Sequence, residues 1–231
     1  STSGDTSPLI NGGQSSPEGT LDDDEEIYDA GSPTLSGSLA PNDHAVHNGA
    51  DDNASGVASM LWLAEKLSKE KHLKTNFLFI AFSGEENGLF GSKAFTEQPS
   101  VSLDKVTAMF NMDMVGRLSD STKTITLGGY GTSPSWKEMI DAVKERGFSI
   151  RYDSSGTGPS DHTSFYRKDI PVLFFFTGLH TDYHKPSDDP EKINYDGMVK
   201  VVRFIQHMIE LNKPAQKIVF TKTRETQTST S

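Results

Sequence analysis

Five residues of this chain could act together in metal-assisted hydrolysis. Asp51, Glu86, Asp113 and His184 offer hard oxygen and nitrogen ligands, and Glu85 stands directly beside one of them. They sit in NGADDNASG (48–56), FSGEENGLFGS (82–92), FNMDMVG (110–116) and DYHKPSDD (182–189). A zinc hydrolase site uses about three or four such ligands and keeps a position open for water. Where two zinc ions lie about 3.5–4 Å apart, one carboxylate commonly bridges them, and the short, stiff stem of aspartate suits that place. Asp51 is the bridge candidate. Glu85 is placed to take the proton of a water that the metal activates.

Each residue also has a plainer reading. Asp51-Asp52-Asn53 precedes SGVASML and could cap that helix, because Asp and Asn accept the free N–H groups of a first turn. Glu85-Glu86 could be a solvated surface pair, although two adjacent charges directly after FLFIAFSG repel unless solvent or a cation intervenes. Asp113 lies in an otherwise apolar strand and needs a partner there: a backbone N–H group, a lysine or zinc. His184 has His162 and His180 for company, and Tyr183 and the Asp188-Asp189 pair beside it could orient a ligand. His44 and His47 read as ordinary loop residues. Ser160-Asp161-His162 lacks the G-x-S-x-G elbow of a serine nucleophile. H-E-x-x-H is absent, which excludes the helix-borne zinc site.

The elements around these residues alternate. Residues 55–70 carry apolar positions at helical spacing. Asn76–Phe82 (NFLFIAF) has the continuous apolar character of a strand buried on both faces. A short helix is expected in GLFGSKAFTEQ, and strands over Lys105–Met114, Thr124–Leu127 and Pro171–Phe176. Ser133–Gly147 reads as a helix with Pro134 in its first turn and Gly147 as its stop, and Tyr195–Leu211 as a closing helix. This rhythm predicts an α/β domain with a mixed, mostly parallel sheet flanked by helices. In such sheets ligands gather at the carboxyl ends of the strands. All five residues fall where one crevice could collect them.

At 231 residues the chain is long enough for one domain with a sizeable core. Residues 1–50 hold nine acids and no Lys or Arg, so the formal charge of −10 belongs to this end and the remainder is nearly neutral. Residues 1–40, rich in Ser, Gly, Pro and Asp, are expected to be mostly disordered, followed by a domain over 41–220 and a flexible tail over 221–231. Without a basic stripe, nucleic acid is not an expected partner. The sequence has no cysteine, hence no disulfide or thiolate site. No apolar run approaches the roughly 18 residues of a membrane span. Oligomeric state cannot be read.

NGADDNASG, SGEENGLFGS, NMDMVG, SDHTSF and DYHKPSDD, in that order, resemble the co-catalytic zinc aminopeptidases of the bacterial leucyl and aminopeptidase Y type over residues 45–212. The resemblance implies two zinc ions: Asp51 bridging, Glu86 and His184 completing one site, and Asp113 in the other. It further implies Glu85 as general base and then acid, Tyr183 stabilising the tetrahedral intermediate, and Asp161 as a supporting hydrogen-bonding residue. A peptide substrate losing its N-terminal residue and an extracellular or periplasmic location follow from the same likeness.

One part of the family pattern is missing. The H-x-D motif that supplies the second site's histidine has no counterpart, because no histidine precedes His44 and EIYDA (26–30) stands where the motif is expected. The strands before it are also unrecognisable, which leaves the sheet short at that end and reduces the zinc count toward one. Asp51, Glu86 and His184 alone would suit a single-zinc acyltransferase like the glutaminyl cyclases, which share the fold. A non-catalytic binding module is the third reading, against which stand the retained ligands and Glu85.

Overall fold

The computed structural model describes residues 38–43, 45–73, 75–211 and 218–224. Residues 1–37 of the segment over 1–40 expected to be disordered, His44 and residues 225–231 of the expected tail lie outside them.

Among the described residues four strands form one sheet: β1 (Met109–Met112), β2 (Thr124–Gly128), β3 (Ser149–Tyr152) and β4 (Val172–Phe176). Their order is β1-β4-β2-β3. β1 runs parallel to β4, and β2 parallel to β3, while β2 and β4 are antiparallel. Five α-helices among the same residues accompany the sheet: α1 (Gly56–Leu67), α2 (Phe90–Glu97), α3 (Ser135–Ala142), α4 (His162–Tyr166) and α5 (Tyr195–Leu211). This is the mixed, mostly parallel α/β sheet that the element rhythm predicts.

The pleat of β4 sorts its side chains by face. Leu173 and Phe175 enter the main core with Leu63 of α1, Trp136 and Ile140 of α3, and Phe204 and Ile205 of α5. Burying a side chain such as Phe175 in this way stabilises the fold by about 1.5–3 kcal/mol. Val172 joins a second cluster with Phe165 and Tyr166 of α4, against which Phe82 and Phe95 of α2 also pack. Phe174 and Phe176 remain partly exposed, their rings stacked 5.8 Å apart. These two line the cavity described below.

Several elements depart from expectation. Asn76–Phe82 belongs to no strand, with Leu78 and Phe79 exposed at 53% and 38%. Its apolar composition predicts burial on both faces, but among the described residues no strand covers it, so Phe77 and Phe82 pack against the cores while Leu78 and Phe79 stay at the surface. β1 is shorter than Lys105–Met114 suggests, because a single 3-10 turn occupies Leu103–Lys105. Helix α3 ends at Ala142, with Val143 already extended (φ −87°, ψ 96°), ahead of the predicted stop at Gly147. β3 and α4 were not anticipated: β3 is a largely exposed edge strand with weak apolar alternation, and α4 is only five residues long.

Residues 221–224, expected to belong to the flexible tail, are docked on the domain. Thr221 N–H donates to the Thr132 carbonyl, and Thr223 N–H donates to the Tyr166 hydroxyl. Ile218 is buried and Phe220 packs beside Tyr166. Two apolar side chains and these hydrogen bonds dock a stretch whose threonines read as solvated.

Candidate metal centre

Two stretches carrying acidic groups meet at the carboxyl end of β1. The turn over residues 50–55, immediately before α1, has non-helical backbone at Asp52 and Asn53, whose connecting peptide is cis. Asn53 ties this turn to β1: its Nδ2 donates to the Met112 carbonyl, and its Oδ1 accepts from Met114 N–H and Gly56 N–H. Asp113 follows directly after β1, with its N–H donating to the Phe175 carbonyl of β4. Glu85 and Glu86 lie in a tight turn before α2, made possible by left-handed glycines at Gly84 (φ 66°) and Gly88 (φ 102°). Tyr183 and His184 come from the loop that follows β4. Asp113 and His184 thus follow the carboxyl ends of β1 and β4, where ligands gather in such sheets.

His184 Nε2 lies 3.0 Å from Asp52 Oδ2 and 2.9 Å from Glu86 Oε1. One atom from each of Asp52, Glu86 and His184 falls within 4.8 Å of the other two, a spacing that can hold a metal ion. Beside them opens a cavity of about 330 Å³. Asp52, Glu85, Glu86, Asp113 and Tyr183 form its polar side, and Leu89, Met114, Phe174, Phe176 and Leu179 its apolar side. Leu89 (φ 64°), Met114 (φ 56°) and His184 (φ 54°) are non-glycine residues held in left-handed backbone, a cost of the kind that functional sites often carry.

The carboxyls repel one another strongly. Burial pushes Glu85 up to about 8, with Asp113, Glu86, Asp161 and Asp52 adding to it. Burial also raises Asp52 to about 7, reinforced by Asp113 and Glu86 and opposed by His184. Asp113 rises to about 6 through burial, although Ser160 Oγ donates to its Oδ2 at 2.7 Å. Tyr183 is pushed up to about 12 by burial and the same acids, so its hydroxyl keeps its proton. A group of half-buried acids with one histidine among them is short of positive charge. A divalent cation would supply it, and carboxylate oxygen with imidazole nitrogen is a donor set that zinc accepts. The residues present therefore fit the metal that the sequence implies.

The structure places Asp52, not Asp51, in this group. Asp51 is fully buried; its Oδ1 accepts the Gly116 N–H at 2.7 Å and its Oδ2 lies 3.2 Å from His180 Nε2. Both Asp51 oxygens face these neighbours rather than the cavity. Asp113 shares the cavity, but among the described residues it joins no second group of three ligands. Asp161 is buried, and its charge acts on Glu85 and Asp113. His162 is stacked on Phe174 at 4.6 Å, with burial lowering it to about 3, so it is a neutral core residue. His47 stands outside the group as well.

Three residues support the site, of which the sequence pointed to Asp188 as an orienting carboxylate but not to Ser160 or His180 in these roles. Ser160 links Asn111 Nδ2 to Asp113 Oδ2, with both hydrogen bonds at 2.7 Å. His180 partners Asp51, and Asp188 accepts backbone N–H groups from the 50–55 turn.

With fold and site in view, the chain belongs to Peptidase family M28, whose profile matches residues 29–209. It is 33% identical over 156 residues to Aminopeptidase YwaD of Bacillus subtilis, covering 63% of this chain and 34% of that protein. Among solved structures it resembles BSAP, a zinc aminopeptidase from Bacillus subtilis, with a TM-score of 0.61 and 26% identity over 74% of this chain and 45% of that one. The glutaminyl cyclase of Porphyromonas gingivalis has the same TM-score, 0.61, at 21% identity over 77% of this chain and 68% of that one, a likeness of fold alone. The chain thus spans between a third and a half of the length of these two aminopeptidases.

Proposed function

We propose that this chain is the catalytic portion of a zinc-dependent exopeptidase that removes N-terminal residues from peptides. The observation that carries the reading is the Asp52–Glu86–His184 group opening onto the cavity that Glu85 and Tyr183 also line. Asp52, Glu86 and His184 would hold one zinc ion, and Asp113 would contribute its charge from the cavity wall. Zinc supplies Lewis acidity there, polarising a carbonyl and lowering the pKa of water toward about 7.

The chain's own groups then divide the work. Asp52, Glu86 and Asp113 give the polar side a negative field suited to the ammonium group of a peptide N-terminus. Leu89, Met114, Phe174, Phe176 and Leu179 give the cavity an apolar lining for a substrate side chain. Glu85, raised by burial, accepts the proton of the attacking water and returns it to the leaving amine; a cation beside it brings its pKa down toward neutrality. Tyr183, protonated throughout the neutral range, donates a hydrogen bond to the oxyanion.

The family membership and the aminopeptidase relatives support peptide hydrolysis over cyclisation, since the cyclase likeness is one of fold. Incubating the zinc-loaded chain with a peptide bearing N-terminal Gln separates the two by mass. Shortening by one residue supports the exopeptidase, and loss of ammonia at unchanged length supports a cyclase. No change in a folded, zinc-loaded chain would overturn both and favour a binding module.

A further inference from the structure

We infer that Asp188 is a positioning residue that sets the separation of Asp52 and His184 and thereby the metal affinity of the site, without itself being a ligand. The inference rests on the zinc reading above. Asp188 Oδ2 accepts two successive backbone N–H groups, those of Asp51 at 2.9 Å and Asp52 at 3.0 Å. Its own carbonyl accepts the Ala50 N–H at 3.0 Å. The next residue repeats the stitch, with Asn48 Nδ2 donating to Asp189 Oδ1 at 2.7 Å. The loop that carries His184 is thus fastened to the turn that carries Asp52.

Asp188 is 1% exposed, so solvent does not replace these bonds if they are lost. Its other oxygen faces Arg117, whose Nη1 lies 3.9 Å from Oδ1. Arg117 in turn binds Asp182, which also accepts from Ser187 and Lys192 in the same loop. Asp182 therefore braces the loop internally and against Arg117, whereas among the described residues Asp188 alone joins it to the backbone of Asp52. Hydrogen bonds that backbone N–H groups donate to a charged acceptor are the stronger kind, and two on one oxygen fix both the height and the angle of the turn. A small shift there moves Asp52 Oδ2 away from the position it shares with His184 Nε2.

Zinc affinity, measured by competition with a chromophoric chelator, tests this on the 231-residue chain and its variants. Asp188→Ala is expected to bind zinc about 10- to 100-fold more weakly, as loss of an orienting partner commonly does. Asp188→Asn, which keeps an acceptor oxygen of the same shape, is expected to recover part of that loss and serves where the alanine variant does not fold. Asp182→Asn is the control for general loosening of the loop. A folded Asp188→Ala or Asp188→Asn with unchanged affinity would overturn the inference, and so would an equal loss in Asp182→Asn. An unmodified chain that takes up no zinc would overturn the metal reading first, and this inference with it.

Discussion

His184 Nε2 is 3.0 Å from Asp52 Oδ2, although one residue precedes α1 and the other follows β4. Asp51, the immediate neighbour of Asp52, faces away toward Gly116 and His180. The two aspartates therefore have separate duties: one presents an oxygen to the cavity and the other anchors the turn on the end of β1.

The separation of duties can be measured. Asp52→Asn is expected to weaken zinc binding at least about 100-fold, more than the loss of an orienting residue costs. Asp51→Asn keeps an oxygen for Gly116 N–H and is expected to retain zinc affinity within about threefold while lowering the melting temperature, since a buried charge-assisted bond is lost. The reverse pattern would restore Asp51 as the ligand.

A second prediction concerns pH. In the metal-free chain Asp52, Asp113 and Glu85 titrate at about 7, 6 and 8, against roughly 4 when unfolded. The folded state thus holds protons that the unfolded state has released. The stability this contributes is fully present below about pH 4 and is lost as pH rises through 6 to 8. The melting temperature of the zinc-free chain should fall by at least about 5 °C between pH 5 and pH 8. Zinc added at pH 8 should restore it, because a cation favours the ionised carboxylates. A flat or rising profile without zinc would show that the acids do not repel as described.

Glu85→Gln removes the proton acceptor but keeps its shape. Peptide hydrolysis is expected to drop about 10²- to 10⁴-fold, the usual contribution of a general base, with zinc affinity little changed. Kinetics on an N-terminal peptide substrate beside zinc titration read both quantities. Retained activity would remove Glu85 from the mechanism.

Gly56 starts α1 with ordinary helical backbone, so its role is steric. A Cβ there would fall inside van der Waals contact with the Met112 carbonyl and Asn53 Oδ1. Gly56→Ala should therefore destabilise the chain by about 1–3 kcal/mol, as overpacking does, and lower zinc affinity, because Asn53 connects the Asp52 turn to β1. Urea unfolding that matches the unmodified chain would contradict this.

The sequence revealed most of the fold through apolar runs and their punctuation. β4 and α5 follow their predicted spans closely because long apolar or amphipathic patterns leave few alternatives. Asn76–Phe82 was misread because composition reports what a segment could bury, while burial needs a neighbouring strand that the described residues do not provide. At the site, motif order points to Glu85, Glu86, Asp113, Tyr183 and His184, and the structure brings these five side chains to one place. The choice between Asp51 and Asp52 was not legible, since it depends on the backbone angles of an irregular turn. The role of Ser160 was also hidden, because its partner is 47 residues away in sequence, and Asp188 was legible as a support for His184 but not as a partner of Asp52, 136 residues away.

The most direct test of the metal centre is the zinc content of the folded chain by elemental analysis after dialysis against trace zinc, with His184→Ala in parallel. Asp52, Glu86 and His184 predict close to one ion per chain, lost in the variant. No zinc in the unmodified chain, or equal zinc in both, would contradict the assignment.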